Sequence, residues 1–87
     1  KEVFSLIKSM TNGLKSSGVL YFTLFGPRDG WAGKRPELSF IEHSEILEVL
    51  AELPLKIHFQ AIEEGYGPLM SGDIKYWHIF RFLCLKQ

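Results

Sequence analysis

Eighty-seven residues weighing 10.0 kDa, 46% hydrophobic and 14% aromatic, make one small domain with enough apolar mass for a core, which excludes disorder as the main state. Ten Lys and Arg against ten Asp and Glu give zero formal charge, so the chain lacks the basic excess that nucleic acid or an anionic membrane surface requires. No apolar run approaches the roughly 20 residues of a membrane-spanning helix, and a single cysteine, Cys84, excludes an intrachain disulfide framework and points to a reducing compartment, the cytoplasm.

The opening Lys1-Glu2-Val3 is neither an initiator methionine nor the basic start of a signal peptide, and it reads as a cut within a longer chain. Val3, Leu6, Ile7, Met10 and Leu14 then recur at helical spacing, with Lys8, Asn12 and Lys15 off that stripe; an amphipathic helix is expected over 2 to 16, stopped by Gly18. Val19 to Phe25 is apolar at nearly every position, rich in β-branched and aromatic types, and ends at Gly26-Pro27. This pattern predicts an interior strand of a parallel sheet with helices above and below. The stretch from Gly26 to Pro36 holds three Gly, two Pro and four charges, a loop longer than ordinary connections and therefore a place to look for function.

After a short extended piece, Leu38 to Ile41, a second helix is expected over 43 to 53. Ile46, Leu47, Val49, Leu50 and Leu53 face inward, Glu42, Glu45, Glu48 and Glu52 share the solvated face, and Pro54 ends it. From Leu55 to Ile62 the alternation predicts an edge strand with Leu55, Ile57, Phe59 and Ala61 on one face and Lys56, His58 and Gln60 on the other. A glycine-rich loop, Glu63 to Asp73, precedes a nearly continuous apolar run, Tyr76 to Leu85, that reads as a buried strand. The fold class is α/β, in the order helix, strand, helix, strand, strand. The first four elements suit a parallel crossover, whereas the last two strands, joined without a helix, must be antiparallel.

Arg28, Asp29 and Trp31 stand together just past the carboxyl end of the first strand, where open α/β sheets bind ligands. Equally, Arg28 can pair with a neighbouring carboxylate while Trp31 serves as a packing anchor. Trp77 and His78 open the last strand, whose antiparallel direction puts them on the same sheet edge. His78 is either a general base or a hydrogen-bonded structural histidine. His43 and His58 favour the structural role. The three histidines lack ligand spacing for a metal, Cys84 lies within an apolar strand as an inert thiol, and no glycine pattern makes a phosphate cradle.

Three stretches resemble a known family. Leu14-Lys15-Ser16-Ser17-Gly18 stands where that family has Leu-Lys-Pro-Gly-Gly, departing from it at Ser16-Ser17. Tyr21-Phe22-Thr23-Leu24-Phe25-Gly26-Pro27-Arg28-Asp29-Gly30-Trp31-Ala32 is similar to its strand and Phe-Gly-x-Arg-Asp-x-Trp loop. Tyr76-Trp77-His78-Ile79-Phe80 resembles a His-Trp-His-x-Phe strand opening, with Tyr76 in place of the first His. The chain thus resembles the C-terminal half of a class I S-adenosylmethionine-dependent methyltransferase, in the bacterial group related to the tellurite-resistance methyltransferase.

The resemblance implies that residues 1–87 form one partial domain, the C-terminal portion of a Rossmann-like methyltransferase sheet, with Val19 to Phe25 lying between the family's fourth and seventh strands. S-adenosylmethionine would be held in the intact protein by residues before Lys1, with none bound to this fragment, which alone would be inactive. Arg28, Asp29, Trp31, Trp77 and His78 would line the pocket of a small-molecule acceptor, without nucleic acid or membrane as partner. The unpaired edge of Val19 to Phe25 would then favour self-association. A reading from another class is a free-standing α/β interaction module that binds a partner through Arg28-Asp29-Gly30-Trp31.

Overall fold

The layering follows from alternation along the last strand. Of β3, Ile74–Lys86, the residues His78, Phe80, Phe82 and Cys84 are buried, and their spacing of two gives one continuous inward face. Ile7 of α1 (Glu2–Gly13), Leu20 of β1 (Val19–Phe25), Ile46 and Leu50 of α2 (His43–Ala51), and Leu55 of β2 (Leu55–Pro68) close the core over that face, with Ile41 from the approach to α2. The structure, a computed structural model, describes residues 2–87. Both helices bury side chains in this one core, and burial pushes the Cys84 thiol up, away from the reactive thiolate.

The result is a mixed α/β fold with a three-stranded sheet of order β1-β3-β2, both ladders antiparallel. The expected parallel sheet with helices above and below is not what these residues build. β1 and β2 do run in the same direction, but β3 folds back between them and takes the hydrogen bonds of both. β1 is consequently an edge strand whose outer side makes a single parallel bridge, Phe25 to Phe40. Its apolar residues are divided between faces: Leu20 is buried, whereas Val19 and Tyr21 are each 54% exposed on the open side of the sheet.

The first helix differs from expectation in its end, its buried face and its stop signal. The helix ends at Gly13 rather than 16, and its buried face is centred on Ile7 and Thr11, with Val3, Phe4 and Leu14 alongside. At 100° per residue Leu6 and Met10 fall to the flank of that arc, and both are exposed. Sequence alone favoured Met10 over Thr11, but the Thr11 hydroxyl donates to the Ile7 carbonyl at 2.8 Å and so is buried without an orphaned group. Gly18 is no helix cap. It closes a tight turn, its N–H donating to the Lys15 carbonyl at 2.8 Å, where an added Cβ would sit 2.8 Å from that same oxygen.

The strand expectations fail at one residue. Ile57 pairs with Cys84 and Phe59 with Leu83, so His58 is an extra residue, a β-bulge. Past it, Phe59 turns to the open face, 54% exposed, and Gln60, Ile62 and Glu64 lie opposite Phe82, Phe80 and His78. The ladder also runs beyond the expected loop start at Glu63, because Gly65, Gly67 and Pro68 are tolerated on an edge strand. Trp77 lies against Gly67 and its indole N–H donates to the Gly67 carbonyl at 3.2 Å. Residues 69–73 then make the turn, giving an elongated molecule of 42 × 22 × 22 Å. Among the described residues no helix is long and apolar enough to cross a membrane.

Ser17, in the turn between α1 and β1, has φ of 70°, a left-handed conformation that costs an L-residue about 1 kcal/mol and glycine almost nothing. Ser17→Gly is therefore expected to raise stability by about 0.5 kcal/mol, less than the full strain because glycine also frees the unfolded chain. The urea midpoint checks this, and a lowered midpoint would contradict it.

Candidate functional site

Where β1 stops, the chain does not leave the sheet. The Gly26 N–H donates to the His78 carbonyl and the Gly30 N–H to the Tyr76 carbonyl, both at 2.7 Å, so the loop continues along the same edge of β3. Close approach explains Gly26: a Cβ there would lie 2.3–2.7 Å from atoms of the His78 ring.

Asp29 holds this loop to the strand. Its Oδ2 accepts the His78 N–H at 3.0 Å, and its Oδ1 accepts the Trp31 N–H at 3.0 Å and lies 2.5 Å from Lys75 Nζ. Both partners of the ion pair are withdrawn from water, with side chains 3% and 0% exposed for Lys75 and Asp29. Lys75 Nζ otherwise meets rings rather than acceptors: it stands 3.7 Å from the Trp77 ring centroid, 4.2 Å from Trp31 and 5.3 Å from Phe25. Such faces stabilise a desolvated cation. Burial pushes the Asp29 carboxyl up, but the hydrogen bonds from Lys75, His78 and Trp31 outweigh it and hold the group below the ordinary carboxylate range.

Arg28 points elsewhere. Its Nε and Nη2 donate to Glu64 Oε2 and Oε1 at 2.6 and 2.8 Å, a bidentate fork, and the Tyr76 hydroxyl donates to Glu64 Oε2 at 2.9 Å. The Arg28 hydrogen bonds dominate in drawing Glu64 down from 4.5 to about 2, and the hydrogen bonds that Arg28 and Tyr76 each make to Glu64 raise those two groups in turn. Glu64 is therefore a permanent anion at neutral pH and no proton shuttle. His78 is 1% exposed, and its Nδ1 accepts the Arg28 N–H at 3.0 Å. That commitment suits a structural histidine at Nδ1 and leaves only Nε2 facing the Arg28–Glu64 pair.

The five residues singled out from sequence thus gather at one end of β3, divided between two jobs. Asp29, Trp31 and Trp77 surround Lys75 and fix the loop, while Arg28, Glu64 and Tyr76 meet over the buried ring of His78. Lys75, Tyr76 and Glu64 were not singled out. Tyr76 and Lys75 adjoin Trp77 in the chain and were within reach, but Glu64 is brought opposite His78 by the bulge at His58, which no alternation rule reveals. His43 meets Gln60 Oε1 at 3.0 Å and packs against Phe80 and Phe82, and His58 occupies the bulge. Beside the cluster lies a shallow groove of about 420 Å³ lined by Glu63, Glu64, Gly65, Tyr66, Trp77 and Ile79. No group of three or more His, Cys, Asp or Glu side chains is arranged to hold a metal among the described residues.

Both carboxyls sit below their unfolded values, so their contribution is fully present above the unfolded pKa and is lost as pH falls through the folded one. The Glu64 contribution is expected to be lost between pH 4.5 and about 2, where Glu64 protonates. Thermal melts of the protein and of Glu64→Gln check this: the variant should show a shallower acid limb. Lys75→Met leaves Asp29 buried without its cation and should cost about 3–5 kcal/mol, whereas Lys75→Met with Asp29→Asn should recover part of that loss. Equal stability of Lys75→Met and the parent chain would contradict the burial of the pair.

Comparison of the chain with protein families, curated proteins and solved structures returns no match.

Proposed function

We propose that the chain is the acceptor-side half of an S-adenosylmethionine-dependent methyltransferase. The observation that supports this best is the meeting of the Arg28 loop with the Trp77-His78 strand opening. Those are two of the three stretches that carry the resemblance, and they are joined across 50 residues by the bond from the Arg28 N–H to His78 Nδ1. The order β1-β3-β2, with the final strand antiparallel beside β1, also agrees with what the resemblance implies for this half of a Rossmann-like sheet.

On this reading S-adenosylmethionine supplies an electrophilic methyl group from a sulfonium. The described residues suit it poorly: α2 begins behind Glu42, with no glycine turn before it, so the reading assigns cofactor binding to residues outside 2–87. The work of this chain is to hold the acceptor. Displacement at a methyl group depends above all on alignment, and a loop clamped by the Asp29–Lys75 pair gives Arg28 and His78 fixed positions. Glu64 holds the Arg28 guanidinium by two hydrogen bonds and also accepts from the Tyr76 hydroxyl. The rest of the proposal is a small-molecule acceptor, a cytoplasmic setting with Cys84 reduced, and pairing of a second copy along the open edge of β1. Use of the loop as a partner-binding patch has less support, because Trp31 packs against Trp77 and Lys75.

The test joins two measurements. Calorimetry of the 87-residue chain is expected to show no micromolar binding of S-adenosylmethionine. In the enzyme that contains the cofactor-binding half, Arg28→Ala is expected to lower kcat/KM for the acceptor about tenfold or more while leaving cofactor affinity unchanged. Tight cofactor binding by the isolated chain, or equal loss of both functions in Arg28→Ala, would overturn the reading.

A further inference from the structure

The donors that converge on Glu64 are more numerous than its carboxylate satisfies. A neutral imidazole has one acceptor nitrogen, and in His78 that is Nδ1, which takes the Arg28 N–H at 3.0 Å. The proton is therefore on Nε2. This atom lies 3.3 Å from Arg28 Nη2, itself only a donor, and 3.9 Å from Glu64 Oε1, beyond hydrogen-bond reach. Arg28 Nη2 and His78 Nε2 thus stand side by side as donors, and the one oxygen nearby serves only the first, at 2.8 Å. An oxygen seated between them would serve both, and its geminal oxygen would be met by Arg28 Nε and the Tyr76 hydroxyl, which now converge on Glu64 Oε2.

Access is open. The Arg28 side chain is 65% exposed, and Glu64, at 25%, projects from β2, an edge strand, so its side chain has solvent to swing into. We propose that Arg28, Tyr76 and His78 form a binding site for the carboxylate of a small molecule, a site that Glu64 fills from within the chain until the ligand displaces it. The guanidinium fork selects a planar, two-oxygen anion over a spherical one. That this carboxylate belongs to the methyl acceptor rests on the function proposed above; the existence of the site does not.

Acetate is the probe, and the ¹⁵N shift of His78 Nε2 is the readout. Glu64→Ala is expected to bind acetate saturably and about tenfold or more tightly than the parent chain, which must release its own carboxylate first. Chloride at equal ionic strength should not reproduce the shift, and Arg28→Ala in the Glu64→Ala background should abolish it. A folded Glu64→Ala protein that ignores acetate, responds equally to chloride, or keeps its response without Arg28 would overturn the proposal. Where Glu64→Ala does not fold, Glu64→Gln keeps the shape without the charge, and acetate affinity no higher than the parent's overturns the proposal as well. The titration involves neither cofactor nor methyl transfer. Its failure leaves the methyltransferase reading intact, and a failed transfer assay leaves the carboxylate site intact.

Discussion

Asp29 is the group on which the rest of this end of the molecule depends. A carboxylate with no exposed surface is tolerated only when every direction of its charge is answered, and here the answers come from separate parts of the chain: the Lys75 ammonium, the His78 N–H and the Trp31 N–H. Satisfying Asp29 therefore fixes the loop after β1 against the beginning of β3. Lys75 in turn needs surroundings that tolerate its remaining protons, and three aromatic faces provide them. Trp31 and Trp77 are thus walls around a cation, which accounts for two tryptophans at the end of so small a sheet.

With that clamp set, Arg28 is free to face outward. Its backbone is held by His78 and its side chain by Glu64, so a long, flexible residue is restricted at both ends and little rotamer entropy remains to be lost when it engages another group. The open side of the sheet has a separate ion pair, Arg81 with Glu63, to which the Tyr21 hydroxyl is joined. Adjacent glutamates on β2 thereby serve opposite faces of the same sheet.

How far this was legible from sequence depends on the range of the forces involved. Val19 to Phe25 was read with its observed bounds, because its composition and the Gly-Pro that ends it are local signals. The second helix was found for the same reason, ending two residues earlier than Pro54 suggested. The inward turn of Thr11 in place of Met10 was not legible, since it depends on what the sheet presents to α1. The direction of the last two strands followed from the absence of a helix between them, but β3's central place in the described sheet needed the pairing itself. Of the site, Arg28, Asp29, Trp31, Trp77 and His78 were visible as chemistry concentrated near strand ends. That Asp29 would bind Lys75, and Arg28 would bind Glu64, depended on loop path and ladder register, which are long-range properties.

The bulge at His58 makes the site a matter of parity. Side chains on a strand change face with every residue, so what faces His78 depends on whether an odd or an even number of ladder positions separates it from the core-facing Ile57. With His58 set outside the ladder, Glu64 faces His78; were His58 to take a regular place, Glu63 would stand there and Glu64 would turn to the other side. Loss of His58 would therefore leave the count unchanged, while a single insertion or deletion between Phe59 and Glu64 would reverse it. A change of two residues there would keep Glu64 on its face but bring it opposite Phe80 or Tyr76, so beyond the bulge the length of β2 is fixed by the site itself.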